Sequence, residues 1–252
     1  MISVWIYVGG GLASGILAGF LGIGGGTLLV PLLVTLQFSP VQAVATSSLA
    51  ILITAGAGSW QNWRMGFLRF RSVVSLGLPA ILAAQLGAYE ARQVPAYVLL
   101  VGFGLLLGIS VYLVSWRQRL GYQPQSSGLS LPYGLACGLT GGLAGLMAGF
   151  FGVGGGVIMV PLQMVLLAQP IKPAIQTSLG VIVITAASAV AGHAWAGQVQ
   201  GIAGLLLGLG GVVGVQISAR CLPRLPDLVV AIAFRTLLIV LAGYMFWQAT
   251  QI

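Results

Sequence analysis

The chain has 252 residues, of which 58% are hydrophobic and 5% charged, with a mean hydropathy of +1.07 and a formal net charge of +8. A soluble globule needs about a quarter of its residues charged to cover its surface, so this composition excludes one and demands an integral membrane protein. The ten basic residues are scattered between apolar runs and form no patch, which excludes nucleic acid as a partner and leaves orientation in the bilayer as the reason for the charge.

In chain order, apolar runs of membrane-spanning size lie at 3–22, 42–60, 72–90, 96–115, 131–151, 174–196, 200–219 and 228–247. Each approaches the ~20 helical residues that cross a ~30 Å hydrocarbon layer. None alternates polar and apolar residues, so helices are predicted and a barrel is excluded. The opening "MISVWIYVGGG" has no basic residue ahead of its apolar run and reads as the first membrane segment, not a cleaved signal peptide. Cys137 and Cys221 lie in apolar surroundings without ligand-like spacing and read as structural.

One phrase is written twice. "GFLGIGGGTLLVPLL" (19–33) returns as "GFFGVGGGVIMVPLQ" (149–163), and 11–40 matches 141–170 at fourteen of thirty positions, too many for chance. "ATSSLA" (45–50) then aligns with "IQTSLG" (175–180), placing Gln176 opposite Thr46, while at an offset of 131 Gly66 meets Gly197 and Gln85 meets Gln216. The expected organisation is a first membrane repeat at 1–119, a polar cytoplasmic linker at 120–130 and a second membrane repeat at 131–252.

After each glycine triplet comes a short apolar piece, 26–38 and 156–168. If that piece returns the chain to the side it came from, each half makes an odd number of passes and the second half is inverted. Arg64, Arg69, Arg71, Arg117, Arg119, Lys172, Arg220 and Arg224 then share the cytoplasmic side, with Arg92 alone outside, whereas a parallel repeat splits them five to four. The inverted arrangement is therefore expected, with both termini non-cytoplasmic. The fold class that follows is an all-α polytopic membrane protein of two inverted repeats, each with about four long helices and a short glycine-broken one.

Glycines 11, 15 and 19, and 141, 145 and 149, recur every fourth residue and let a neighbouring helix approach closely. The triplets Gly24, Gly25, Gly26 and Gly154, Gly155, Gly156 crowd too many glycines together for a continuous helix, since each costs about 1 kcal/mol relative to Ala. A break is predicted there, and freed backbone at membrane depth is tolerated only when buried in protein or lining a watery cavity. A short helix starting at such a cavity would aim unpaired N–H groups and a partial positive charge into it, which suits an anion. Pure helix packing is the other reading of the triplets.

The doubled G-F-[LF]-G-[IV]-G-G-G-x₄-P motif, with the A-T-S segment behind it, resembles the TauE/SafE family of membrane transporters over nearly the whole chain. The resemblance implies an inner-membrane carrier of small, often sulfur-containing anions such as sulfite, sulfoacetate or thiosulfate. It also makes the two glycine motifs and the hydroxyl segments the matching positions. Thr46, Ser47 and Ser48, with Gln176, Thr177 and Ser178, are candidates to bind a sulfonate oxygen, or hydroxyls bonded to a carbonyl one turn back. Arg235 lies deep in the last run and must face a cavity, pair or snorkel. Gln85 and Gln216 read as interhelical bonds or site residues, and His193, among aromatics near an outer end, as an interface residue.

Glu90 and Asp227 are the only acids, both near helix ends. Paired carboxylates and a carboxylate cage for Na⁺ or Ca²⁺ are thereby excluded, and no enzyme, metal or cofactor is expected. A secondary carrier of a small anion, held at a midplane site, is the leading reading. A membrane assembly or sensor subunit without transport is the alternative. The lipid bilayer is the implied surrounding, and a homodimer is compatible with the sequence without being demanded by it.

Overall fold

Only glycine clusters and polar turns interrupt the apolar runs, and the chain folds accordingly. The computed structural model describes residues 2–91, 94–119, 132–151, 154–195 and 197–250. These form ten α-helices: α1 (Ile2–Leu21), α2 (Gly26–Thr35), α3 (Pro40–Arg64), α4 (Phe70–Ala91), α5 (Ala96–Arg119), α6 (Tyr133–Phe151), α7 (Gly156–Leu166), α8 (Ile171–Trp195), α9 (Gly201–Cys221) and α10 (Asp227–Ala249). One 3₁₀ turn, Leu222–Arg224, separates the last two, and no strand occurs among the described residues.

Seven helices (α1, α3, α4, α6, α8, α9 and α10) are long and apolar enough to cross a membrane; in α5 the apolar stretch is Val101–Arg117. The short helices end earlier than 38 and 168, because Gln37 and Ala168 turn to positive φ, 68° and 50°. The expected linker at 120–130, and Arg92, lie outside the described residues.

The every-fourth glycines carry the closest helix pairs. Gly11 and Gly15 of α1 lie directly against the Leu207 and Gly211 carbonyls of α9, and Gly19 against Ser218. Gly141, Gly145 and Gly149 of α6 lie in the same way against the Leu76, Ala80 and Ala84 carbonyls of α4. In a bilayer apolar surface gains little by leaving lipid, so such backbone approach is what holds helices together. The faces left over are lipid-like: Leu78, Leu82 and Leu86 form an exposed strip along α4.

At the centre α3 packs on α8, while α3 also meets α9 and α8 meets α4. α5 packs on α10 and α7. Helix α3 is set by a capping box: the Gln42 N–H donates to Ser39 Oγ at 3.3 Å and the Ser39 N–H to Gln42 Oε1 at 3.4 Å, ahead of Pro40 in the first turn. At the other end of the bundle Lys172 Nζ sits 3.0 Å from Asp227 Oδ1 and donates to the Pro223 carbonyl at 3.3 Å, pinning the start of α8 to the start of α10.

Helices α3 and α8 both have 25 residues, and α8 begins 171 − 40 = 131 residues after α3. The short helices explain the extra residue, since α2 has 10 and α7 has 11. In this register Thr46 corresponds to Thr177 and Ser47 to Ser178, and the apparent mismatch of Thr46 with Gln176 disappears. Hydrogen bonding keeps the same step: Ser47 Oγ donates to the Val44 carbonyl at 3.0 Å and Ser178 Oγ to the Ile175 carbonyl at 2.8 Å.

Candidate functional site

Helices α1 and α6 are each followed by a glycine turn, from which the short helices α2 and α7 start. Gly25 caps α2 at φ 79° and Gly155 caps α7 at φ 72°, the left-handed region where a side chain is strained and glycine is not. The first N–H groups of each short helix have no partner within their own helix. Behind the caps the turns are packed: the Ser14 hydroxyl donates to the Gly25 carbonyl at 3.1 Å, and a methyl on Gly155 would lie 2.6 Å from the Ala144 carbonyl. Gly26 is buried, and Gly156 rests on the Gly22 backbone.

In front of the caps the two turns converge on the same pair of side chains. A methyl on Gly24 would lie 3.1 Å from Ile182 Cγ2 and 3.3 Å from Ile51 Cγ2; one on Gly154 would lie 3.5 Å and 3.7 Å from those two atoms. Ile51 and Ile182 occupy the same step of α3 and α8, eleven residues after each helix start. At this crossing the Ile51 and Ile182 side chains are fully buried, whereas Gly154 is partly exposed.

A cleft runs from the crossing to one end of the bundle. Its walls are Val44, Ser48 and Ile51 of α3, Ala84 and Ala88 of α4, Ala148 and Gly149 of α6, and Thr185, Ala186, Ala189 and His193 of α8, with Gly154 at its floor. Small side chains leave the space, and three polar groups face into it. Ser48 Oγ donates to the Val44 carbonyl at 2.8 Å and Thr185 Oγ1 to the Ile182 carbonyl at 3.2 Å, so both hydroxyls are held against their own helix. A hydroxyl rotates about its C–O bond and can redirect that proton to an oxyanion, while the imidazole supplies an N–H. A second pocket beside the cleft shares Ala84, Ala88, Ala189 and His193 with it, and there Gln85 Nε2 donates to Ser188 Oγ at 2.6 Å and to its carbonyl at 3.3 Å. Gln85 therefore ties α4 to α8.

The other candidates divide. Gly24, Gly154, Ser48 and Ser178 gather at or near the crossing, Ser178 Oγ also donating to the Gly22 carbonyl at 2.9 Å and so fastening the first glycine turn to α8. Thr46 Oγ1 instead accepts from the Gln200 N–H at 3.1 Å, holding the start of α9 to α3. Ser47, Gln176 and Thr177 are buried within their helices. Arg235 is half-buried on α10, its Nη1 donating to Ser115 Oγ of α5 at 3.5 Å, and it is not among the residues lining the cleft.

Two cleft residues escaped sequence reasoning. His193, expected at an interface, is 9% exposed and lines the cleft, and Thr185 lines it too. The signal lies in "ILITA" (51–55) and "IVITA" (182–186), which match at 131, whereas the 130 offset of the glycine motifs and of "ATSSLA" misaligns them. His193 and Asp227 lie at opposite ends of α8, because Asp227 pairs with Lys172 and 21 residues separate Lys172 from His193, about 31 Å of helix rise.

The family model of the sulfite exporter TauE/SafE matches residues 7–245. A "Probable membrane transporter protein YunE" of Bacillus subtilis (strain 168) is 24% identical over 94% of this chain and 95% of its own length. A "Probable membrane transporter protein" of Xylella fastidiosa (strain Temecula1) is 30% identical over 70% of this chain and 69% of its own. A "Sulfite exporter TauE/SafE family protein 1" of Arabidopsis thaliana is 26% identical over 41% of this chain and 24% of its own.

Proposed function

Because the chain belongs to the sulfite exporter TauE/SafE family of membrane transporters, we propose that it is a secondary carrier of small anions, with sulfite, thiosulfate, sulfoacetate and related organosulfonates or carboxylates as the leading class. The site is the crossing of the two glycine turns, and the cleft beneath His193 is the path to it. The observation that carries this reading is convergence: two left-handed glycine turns, 130 residues apart, bring Gly24 and Gly154 to the same Ile51 and Ile182 side chains at the foot of a cleft lined by Ser48 and Thr185.

Few cations at such a site suit a carrier, which must release its cargo as well as bind it. Helix N-termini and hydroxyls hold an oxyanion by hydrogen bonds and partial charge, without an arginine clamp. Residues 1–119 and 131–252 act as two repeats of five helices each. An odd number of elements per half sets the halves in opposite orientation across the membrane, which is the usual architecture for alternating access. By the distribution of Arg and Lys, both termini lie on the non-cytoplasmic side of the cell membrane and 120–130 on the cytoplasmic side. A cysteine at Ser127 is then shielded from impermeant thiol reagents in intact cells.

The test is direct. Purified protein in proteoliposomes is assayed for uptake of sulfite, thiosulfate, sulfate, sulfoacetate and acetate, and in parallel for thermal stabilisation by each. A ligand at a hundred times its Kd adds about 2.7 kcal/mol to apparent stability. Absence of both uptake and stabilisation across the panel refutes an anion carrier.

A further inference from the structure

The cleft has a counterpart that is shut, and the residues behind the closure are unusual. At the 131 register that aligns α3 with α8, His193 corresponds to Asn62 and Ala189 to Gly58. Where the open side has Ser48 and Ala84, the other has Leu179 and Val215, both fully buried. A methyl on Gly58 would lie 2.7 Å from Val215 Cγ2 and 3.4 Å from Leu179 Cδ1, so those two side chains occupy the space the cleft keeps free on the opposite side.

One turn beyond Gly58, Asn62 is 0% exposed, and among the described residues neither its Nδ2 nor its Oδ1 has a hydrogen-bond partner. Ser59, three residues earlier and so on the same helix face, is 9% exposed, and its hydroxyl is unpartnered too. Buried polar groups are nearly always paired, because each one left unmade costs about 1–3 kcal/mol. A chain this apolar had every option to place leucine there.

We infer that Asn62 and Ser59 are the second anion station of the carrier, on the opposite side of the glycine crossing from His193, and that the Leu179–Val215 contact is the gate in front of it. This rests on the anion-carrier reading above and adds to it the residues of the second half-path. When Leu179 and Val215 part from Gly58, the Asn62 amide N–H and the Ser59 O–H are the donors that meet the oxyanion. The charge at that end agrees: Arg64 closes α3 two residues later, and Arg69 and Arg71 follow, all three exposed. A cationic rim concentrates anions at such a mouth.

The experiment uses sulfite and thiosulfate uptake into proteoliposomes together with the melting temperature of each variant. Asn62→Leu replaces an unpartnered amide by an apolar side chain of similar size, so it is expected to melt at or above the wild-type temperature while uptake falls about tenfold or more. Asn62→Asp, which sets a carboxylate before the anion, should transport less than Asn62→Ser, and Ser59→Ala should raise KM. Stability and transport moving in opposite directions in Asn62→Leu is a signature that a structural amide does not produce. Wild-type uptake and KM in Asn62→Leu overturn the inference and leave the carrier reading standing. Loss of uptake only in proportion to lost folding, in Asn62→Leu and Asn62→Ser alike, also overturns it. A wild-type protein that moves neither anion refutes the carrier reading, and the inference with it.

Discussion

On the two sides of the glycine crossing the same helices leave a cleft on one side and packed side chains on the other. Helices α3 and α8 run through both, in the same register and with the same "I-x-I-T-A" centre. The difference is made by side chains of unequal size at equal steps: Ser48 against Leu179 and Ala84 against Val215. Matching helix positions thus carry small side chains on one side of the crossing and bulky ones on the other. The cleft side ends at an imidazole and the packed side at an unpartnered amide, so the two ends are also chemically unlike.

The sharpest way to break this comparison is to make the halves alike. Ser48→Leu places in the cleft the side chain that fills the opposite half, and uptake is expected to fall to background with the melting temperature unchanged, as read in proteoliposomes and by thermal unfolding. Opening the shut half is the converse. Leu179→Ala leaves a cavity, should cost about 2–5 kcal/mol of stability, and should let a maleimide reach a cysteine at position 62 in a background lacking Cys137 and Cys221.

The scaffold under both halves should respond equally. Gly11→Ala and Gly141→Ala each drive a methyl into a backbone carbonyl, of Leu207 and Leu76, and each should cost about 1–3 kcal/mol in thermal unfolding. Apparent anion affinity should be unchanged in both. The smallest expected effect is Thr46→Ala, which removes the acceptor for the Gln200 N–H and should cost about 1 kcal/mol without altering KM. A change in KM there would return Thr46 to the binding site.

Much of the fold was legible because the bilayer enforces it: the eight long apolar runs had to become helices, and the glycine triplets had to interrupt them, with new helices starting at Gly26 and Gly156. The short helices ended two or three residues early because Gln37 and Ala168 adopt left-handed turns that glycine or asparagine would have announced. The site was legible in part. Gly24, Gly154 and Ser48 were visible as motif residues, yet the extra residue in α7 slipped the alignment by one and hid the equivalence of Thr54 with Thr185 and of Asn62 with His193. Arg235 attracted attention as a deep charge, but its guanidinium is directed to Ser115 on the flank of the bundle. Burial and partner count, which sequence does not record, were needed to separate these cases.

The exchange of partners between the halves sets the order of events at synthesis. Helix α1 finds its closest neighbour only in α9, and α6 finds its own in α4, which was made before it. At about 5–20 residues per second, the 180 residues between Leu21 and Gly201 keep α1 waiting in the bilayer for roughly 10–40 s, its glycine stripe turned to lipid or to a chaperone. Neither half completes its own packing: α6 can dock on α4 as soon as it inserts, whereas α1 must wait for α9 and α5 for α10.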